Sequence, residues 1–299
     1  MITHIQHAFR GVRILTLSMV VPALALAVSG GSGSDRDSTA TALNADYKGK
    51  VLIQRRYISG NNVSYDSSGN PAGRISEGPW TTEADLRVKN VRLPDDVTIV
   101  IDAERLFLIR DNANRIFRDA SSVITIPQKE LKSWEKVRKL EIRIANDKAF
   151  DLTSARAAFA RIFLLPTERL SDFVPEWWKF VLRQDEQSPA PLSTSGKLPM
   201  PDSDVARVGG DVRAPRGRSL PDPKYQEIAR LMRYQGTVIL WMVVNREGLP
   251  RDINIIRPLG LGLDERAVEA VQKWRFDPAT KDGQPIPAQV NIEVNFRLY

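Results

Sequence analysis

A chain of 299 residues is long enough for two ordinary domains, and 42% apolar with 26% charged content is globular in kind. The net charge of +7 suits solubility and contact with anionic envelope surfaces; no RRM, zinc-finger or recognition-helix pattern accompanies it, so no nucleic-acid partner is expected. Cysteine is absent, which removes disulfides, thiolate metal sites and a cysteine nucleophile.

The chain opens with a basic stretch, Arg10 and Arg13 without an acid, then an uncharged run of fifteen residues from Ile14 to Val28. Ala23, Ala25, Ala27, Ser29 and Gly30 supply small residues within and after it. Residues 1–29 therefore read as a secretory signal peptide, with an uncleaved membrane anchor as the alternative. A spanning helix needs roughly twenty apolar residues, and this run is short and holds Pro22. Both readings carry the remainder across the inner membrane, because the positive charges stay inside. The only histidines, His4 and His7, lie before the run. A processed chain would lack the usual general base and the commonest metal ligand. No catalytic, cofactor or metal residue is assigned, and the protein reads as a non-enzyme. Residues 30–45, small and polar, read as a flexible tether.

Residues 46–185 carry short strand-like runs with turn residues between them, at 50–59, 61–66, 84–88, 97–101, 106–109, 115–117 and 140–144. That spacing predicts a β-rich domain: a meander, sandwich or half-barrel. A helix follows, with Asp151 as its N-cap and Leu152, Ala155, Phe159, Ile162 and Phe163 on one face. Trp177, Trp178 and Phe180 lie in a second amphipathic stretch, read as a helix closing a sheet in preference to an aromatic ligand wall. Asp95, Asp96, Asp102 and Glu104 fall at turns or strand ends, which explains them without acid–base chemistry.

Residues 186–208 are rich in Pro, Ser and Gly and read as an extended linker. From 209 the pattern becomes helix, strand, strand, helix, strand. Asp222-Pro223 reads as cap and first turn of a helix carrying Tyr225, Ile228, Leu231 and Met232. Residues 237–245 and 253–257 read as a hairpin, and Asp264 as the cap of a second helix bearing Ala267, Val268, Val271 and Trp274. The last strand alternates cleanly, with Val290, Ile292, Val294, Phe296 and Leu298 opposed to Gln289, Asn291, Glu293, Asn295 and Arg297. The first strand is apolar on both faces, so a cover over the second face is expected, with Trp241 at its centre. The fold class is α+β: an α-β-β-α-β domain with a three-stranded antiparallel sheet, preceded by the β-rich domain.

These residues resemble the C-terminal domain of TonB proteins. The likeness lies in Pro223 and Tyr225, Ala229-Arg230, Gly236-x-Val238-x-Leu240, Val244 with Gly248, Gly260-x-Gly262-Leu263-Asp264, Ala267-Val268 with Ala270-Val271, Trp274-Arg275-Phe276-x-Pro278-Ala279, Asp282-Gly283-x-Pro285 and Val294-x-Phe296. It covers about 209–299; Gln226 stands where the family commonly has Pro. The resemblance implies a periplasmic component of TonB-dependent transport. It would bind the TonB-box peptide of outer-membrane receptors by strand addition along Gln289, Val290, Asn291, Ile292, Glu293, Val294 and Asn295. It brings ExbB–ExbD in as partners, although the apolar run offers Ser18 and no His for proton coupling. The edge reading alone leaves two alternatives open: pairing in a homodimer or against the middle domain. The alternative function is a non-energised periplasmic binding or scaffold protein whose middle domain holds a lipid, glycan or protein ligand.

Overall fold

The computed structural model describes residues 32–110, 116–117, 126–187 and 204–298. The N-terminal apolar run lies outside them, and no helix among the described residues is long and apolar enough to cross a membrane.

Helix α1 (Ser32–Tyr47) occupies most of the expected tether. Its composition is polar because it buries only a narrow stripe: Thr39, Leu43 and Tyr47 recur every fourth residue, and Leu43 is fully buried. Tyr47 stacks on Phe159 at 4.4 Å, and Asn44 grips the main chain of Val91, accepting from its N–H at 2.9 Å and donating to its carbonyl. A stripe that thin leaves little hydrophobic signal in the sequence.

The elements that follow are β1 (Val51–Ile53), β2 (Asn62–Asp66), β3 (Pro71–Ala72), α2 (Trp80–Glu83), β4 (Asp85–Asp95) and β5 (Thr98–Arg105). After them come the small hairpin β6 (Ile109–Arg110) and β7 (Ile116–Phe117), then α3 (Leu131–Arg138), β8 (Lys139–Ala145), α4 (Leu152–Ile162) and α5 (Glu176–Gln187). Six of the strands form one sheet in the order β1-β4-β5-β8-β2-β3, with β2 and β8 parallel. The expected meander, sandwich or half-barrel is thus a single mixed sheet. Its helices cover one face: Leu86, Val88, Ile99, Ile101, Ile142 and Ile144 meet Leu43, Ala155, Phe159 and Ile162 in one core. The opposite face carries charge, where Arg92 reaches Asp102 at 3.1 Å and Glu141 at 2.9 Å. Helix α4 starts as its sequence indicates, with Ser154 donating its N–H to Asp151 at 2.7 Å in a capping box.

The C-terminal region contains β9 (Ala206–Arg207), β10 (Val212–Arg213), β11 (Arg216–Ser219), α6 (Glu227–Leu231), β12 (Gly236–Val244) and β13 (Pro250–Arg257). It continues through α7 (Leu263–Val271), three short strands β14 (Arg275–Asp277), β15 (Ala279–Lys281) and β16 (Gln284–Ile286), and ends in β17 (Ala288–Phe296). Helix α6, strands β12 and β13, helix α7 and strand β17 follow one another along the chain, with β14, β15 and β16 between the last two. The expected three-stranded sheet has a fourth member: its order is β13-β12-β17-β9, antiparallel except for the parallel β9. So the linker expected over 186–208 supplies a strand. β10 pairs with β15, and β11 with β14.

Two helix starts are shifted. α6 begins after Gln226, four residues beyond Asp222-Pro223, where the residue following Tyr225 is not proline. α7 begins at Leu263 after Gly262, whose φ of 74° is left-handed; Asp264 sits inside the first turn.

The C-terminal region is docked on the middle region, not held away on a tether. One core contains Trp80, Phe107, Leu108, Trp134 and Trp178 from the middle region with Ile228, Leu240, Ile255, Val268 and Phe296 from the C-terminal region. α5 lies against β13. Leu106–Arg110 runs beside the Leu259–Leu261 loop: Leu261 donates its N–H to Leu108 O at 2.8 Å, and Arg110 its N–H to Leu259 O at 3.0 Å. Gly260 makes this approach possible, since a Cβ there would lie 2.3 Å from Leu108 O.

Candidate functional site

The last strand pairs with β12 along its whole length without a register break, from Gly236↔Phe296 to Val244↔Ala288. Its even positions face the core. Val294 and Phe296 are buried, and Val290 and Ile292 are half-buried against the same cluster. Its odd positions Asn291, Glu293 and Asn295 are exposed. This much follows from alternation.

Main-chain direction decides what the strand's edge can do. Ala206 donates its N–H to Pro287 O at 2.9 Å, so that carbonyl points outward, away from β12. In a regular strand the N–H and C=O of one residue point to the same side, and successive residues alternate. Odd residues from 289 to 295 therefore turn their main-chain groups outward, and even residues turn theirs to β12. Gln289 already stands in register with Arg207 of β9. Asn291, Glu293 and Asn295 have no strand alongside them among the described residues. Of the seven residues read from sequence as the partner-binding set, three carry outward ladder groups. Val290, Ile292 and Val294 bond inward, and Gln289 is occupied by the chain itself. Sequence patterning could not distinguish these, because side-chain period and main-chain direction are separate properties. A two-residue strand such as β9 also leaves no pattern to read.

The second face of β12 is covered at Trp241 and Val243, both buried, as its apolar sequence requires. The indole N–H of Trp241 has no hydrogen-bond partner among the described residues.

The edge is held on a rigid base by a buried polar junction between the two regions. Gly262 donates its N–H to Thr81 Oγ1 at 2.9 Å, and the Thr81 hydroxyl lies 3.2 Å from each carboxyl oxygen of Glu265. Asp264 accepts the N–H groups of Leu259 at 2.7 Å and Gly260 at 2.6 Å. Burial pushes both carboxyls up, Asp264 to about 6 and Glu265 to about 8, and the neighbouring Asp264 charge raises Glu265 further. Two main-chain donors at the start of a helix favour the anion at Asp264, while burial and the Asp264 charge favour the protonated form of Glu265. Nothing in the sequence singled out Thr81 or Glu265, because their partnership spans 184 residues.

The fold and its edge define a class: a domain of two helices and a mainly antiparallel sheet, whose last strand has no strand beside most of its outer side among the described residues. Residues 221–298 match the family described as Gram-negative bacterial TonB protein C-terminal. Over this domain the chain is similar to TonB proteins. Protein TonB of Vibrio cholerae serotype O1 is 31% identical over 77 residues, which are 25% of this chain and 32% of that protein. Protein tonB2 of Pseudomonas aeruginosa is 33% identical over 79 residues, 26% of this chain and 29% of that protein. The chain thus spans about a third of the length of the curated relatives it matches. A solution NMR structure of the Pseudomonas aeruginosa TonB CTD aligns over 32% of this chain and 99% of that one, at 18% identity and a TM-score of 0.24.

Proposed function

We propose that this protein is a periplasmic TonB-like component of envelope transport that captures an outer-membrane receptor peptide as an added strand on β17. The observation that supports it is the row of outward main-chain groups at Asn291, Glu293 and Asn295, which have no strand alongside them among the described residues. Strand addition takes its affinity from such groups and its register from alternate side chains. The exposed Asn291, Glu293 and Asn295 side chains are polar, so the edge stays soluble when empty. The protein is a binding component of transport and not an enzyme.

The experiment is titration of the full chain with synthetic TonB-box peptides, read by calorimetry or fluorescence anisotropy. Binding that is lost in Glu293→Pro and kept in Glu293→Ala supports main-chain capture at this edge. Equal affinity for both variants, with the fold intact by circular dichroism, would refute it.

A further inference from the structure

We infer that β9 is a built-in competitor: residues Ala206–Arg207 occupy the first two rungs of the β17 edge and leave when a receptor strand takes the full register. This rests on the proposed receptor reading of that edge. The occupant is the extended peptide of that reading, and the competitor is this chain's own segment.

Four observations carry it. β9 pairs only at Ala206↔Ala288 and Gln289↔Arg207, parallel to β17. Its neighbours make a poor anchor: Arg207 and Val208 are exposed, and Val208 is one of the few large apolar residues left so. The chain then turns away at Gly209 and Gly210, with φ of 130° and 60°, and closes a tight turn in which Gly209 and Val212 exchange main-chain hydrogen bonds at 3.2 and 3.1 Å. Beyond that turn β10 is fixed to β15, and Asp211 to Lys281 at 3.0 Å. β9 is therefore held near the edge from one side by a short hinge. Its effective concentration there is high, although its own pairing is only two residues long.

The outward groups of β17 continue past β9 at Asn291, Glu293 and Asn295. A peptide of about five residues, paired along 291–295, fits beside β9. A longer one meets Val208 and must either stop there or remove β9. Removal exposes Gln289 and Pro287 O and extends the ladder from three outward residues to four. The glycine pair gives β9 somewhere to go, since positive φ is open to glycine without strain.

Ala206→Pro tests this, because proline has no N–H for Pro287 O, and Ala206→Gly is the control that keeps it. Both are made in the full chain and titrated with a synthetic TonB-box peptide. Amide hydrogen exchange is followed at Ala206, Gln289 and the β12–β17 ladder. Expected are a threefold to tenfold tighter peptide affinity in Ala206→Pro, about the equilibrium weight of one main-chain hydrogen bond. Ala206 should exchange far faster than the central ladder in the unmodified protein. Unchanged or weaker peptide affinity in Ala206→Pro, with the unmodified chain still binding, overturns the competitor and leaves the receptor reading intact. If the peptide binds neither protein, the receptor reading falls. Exchange then decides alone: an Ala206 amide as protected as the ladder overturns a displaceable β9, and a fast one supports it.

Discussion

The two larger sheets among the described residues treat their edges differently. In the middle sheet both borders are short: β1 has three residues and β3 two, one of them Pro71. Brevity and proline are ordinary ways of blunting an edge against unwanted pairing. In the C-terminal sheet one border, β13, lies against α5. The other, β17, runs for nine residues and is paired on its outer side over two. Among the described residues, then, two borders are short, one lies against a helix, and β17 has neither feature over most of its outer side. The position of that edge is also fixed, because the C-terminal domain shares a core with the middle region. A partner pulling on β17 pulls on both.

The largest effect is expected where the closed border is held shut. Trp178 is fully buried and meets Trp80 edge-on at a ring separation of 4.9 Å. It belongs to α5 and to the core that both regions share. Trp178→Ala should lose about 3–5 kcal/mol in urea denaturation, the usual range for a large aromatic removed from a core. A loss under about 1 kcal/mol would mean that α5 is not part of the closure.

Next is the polar junction. Glu265 has a carboxyl raised from 4.5 to about 8, chiefly by burial. An acid that holds its proton more tightly folded than unfolded contributes fully below the unfolded value, and that contribution drains away as pH rises to the folded one. Stability should therefore fall between about pH 4.5 and 8 by an amount on the order of a few kcal/mol. Glu265→Gln keeps a hydrogen-bonding partner for Thr81 and carries no titrating proton, so its denaturation midpoint should stay level from about pH 6 to 8, the raised Asp264 carboxyl accounting for the slope below that. A variant that retains the slope would place the pH dependence elsewhere, Asp264 being the neighbour to examine.

The edge itself gives a smaller but more selective contrast. Glu293→Pro removes an outward N–H and should weaken a bound peptide about tenfold while leaving the fold cooperative. Ile292→Pro removes an inward N–H that belongs to the β12 ladder and should cost stability instead, about 1–3 kcal/mol for the β12 acceptor left without its partner. Thermal melts of the two variants beside their peptide titrations separate the two roles. Equal behaviour would break the assignment of alternate residues to opposite sides.

How far the sequence carried this picture depends on the range of the interactions concerned. The alternation of residues 290–298, the cap at Asp151 and the turns around Gly248 and Asp282-Gly283 are local, and they are legible. Helix α1 was hidden by a stripe one residue wide per turn. The shift of the second helix start came from Asp264, whose side chain turns back to the Leu259 and Gly260 amides before it can serve as a cap. The docking of the two regions rests on Leu106–Arg110, Thr81 and the Gly260 loop. These contacts join stretches more than a hundred residues apart, and short-range pattern carries no trace of them. At the edge, the residue stretch was readable, but the choice of Asn291, Glu293 and Asn295 within it needed one main-chain bond, from Ala206 to Pro287.

The charged face of the middle sheet provides the smallest expected effect and a check on the whole comparison. Arg92, with its side chain 43% exposed, lies between Asp102 and Glu141. Pairs this open to water are worth about 0–1 kcal/mol and weaken with salt. Arg92→Ala should accordingly shift stability by less than about 1 kcal/mol, and less again in 0.5 M salt (roughly a 4 Å screening length). Its unpaired side chains are satisfied by water at little cost, which is why this face needs no partner. The β17 edge differs in kind, because its unpaired groups are main-chain donors and acceptors in a fixed row. A loss of several kcal/mol at Arg92 would mean that the charged face is itself covered in the intact protein, and the contrast between that face and the β17 edge would have to be redrawn.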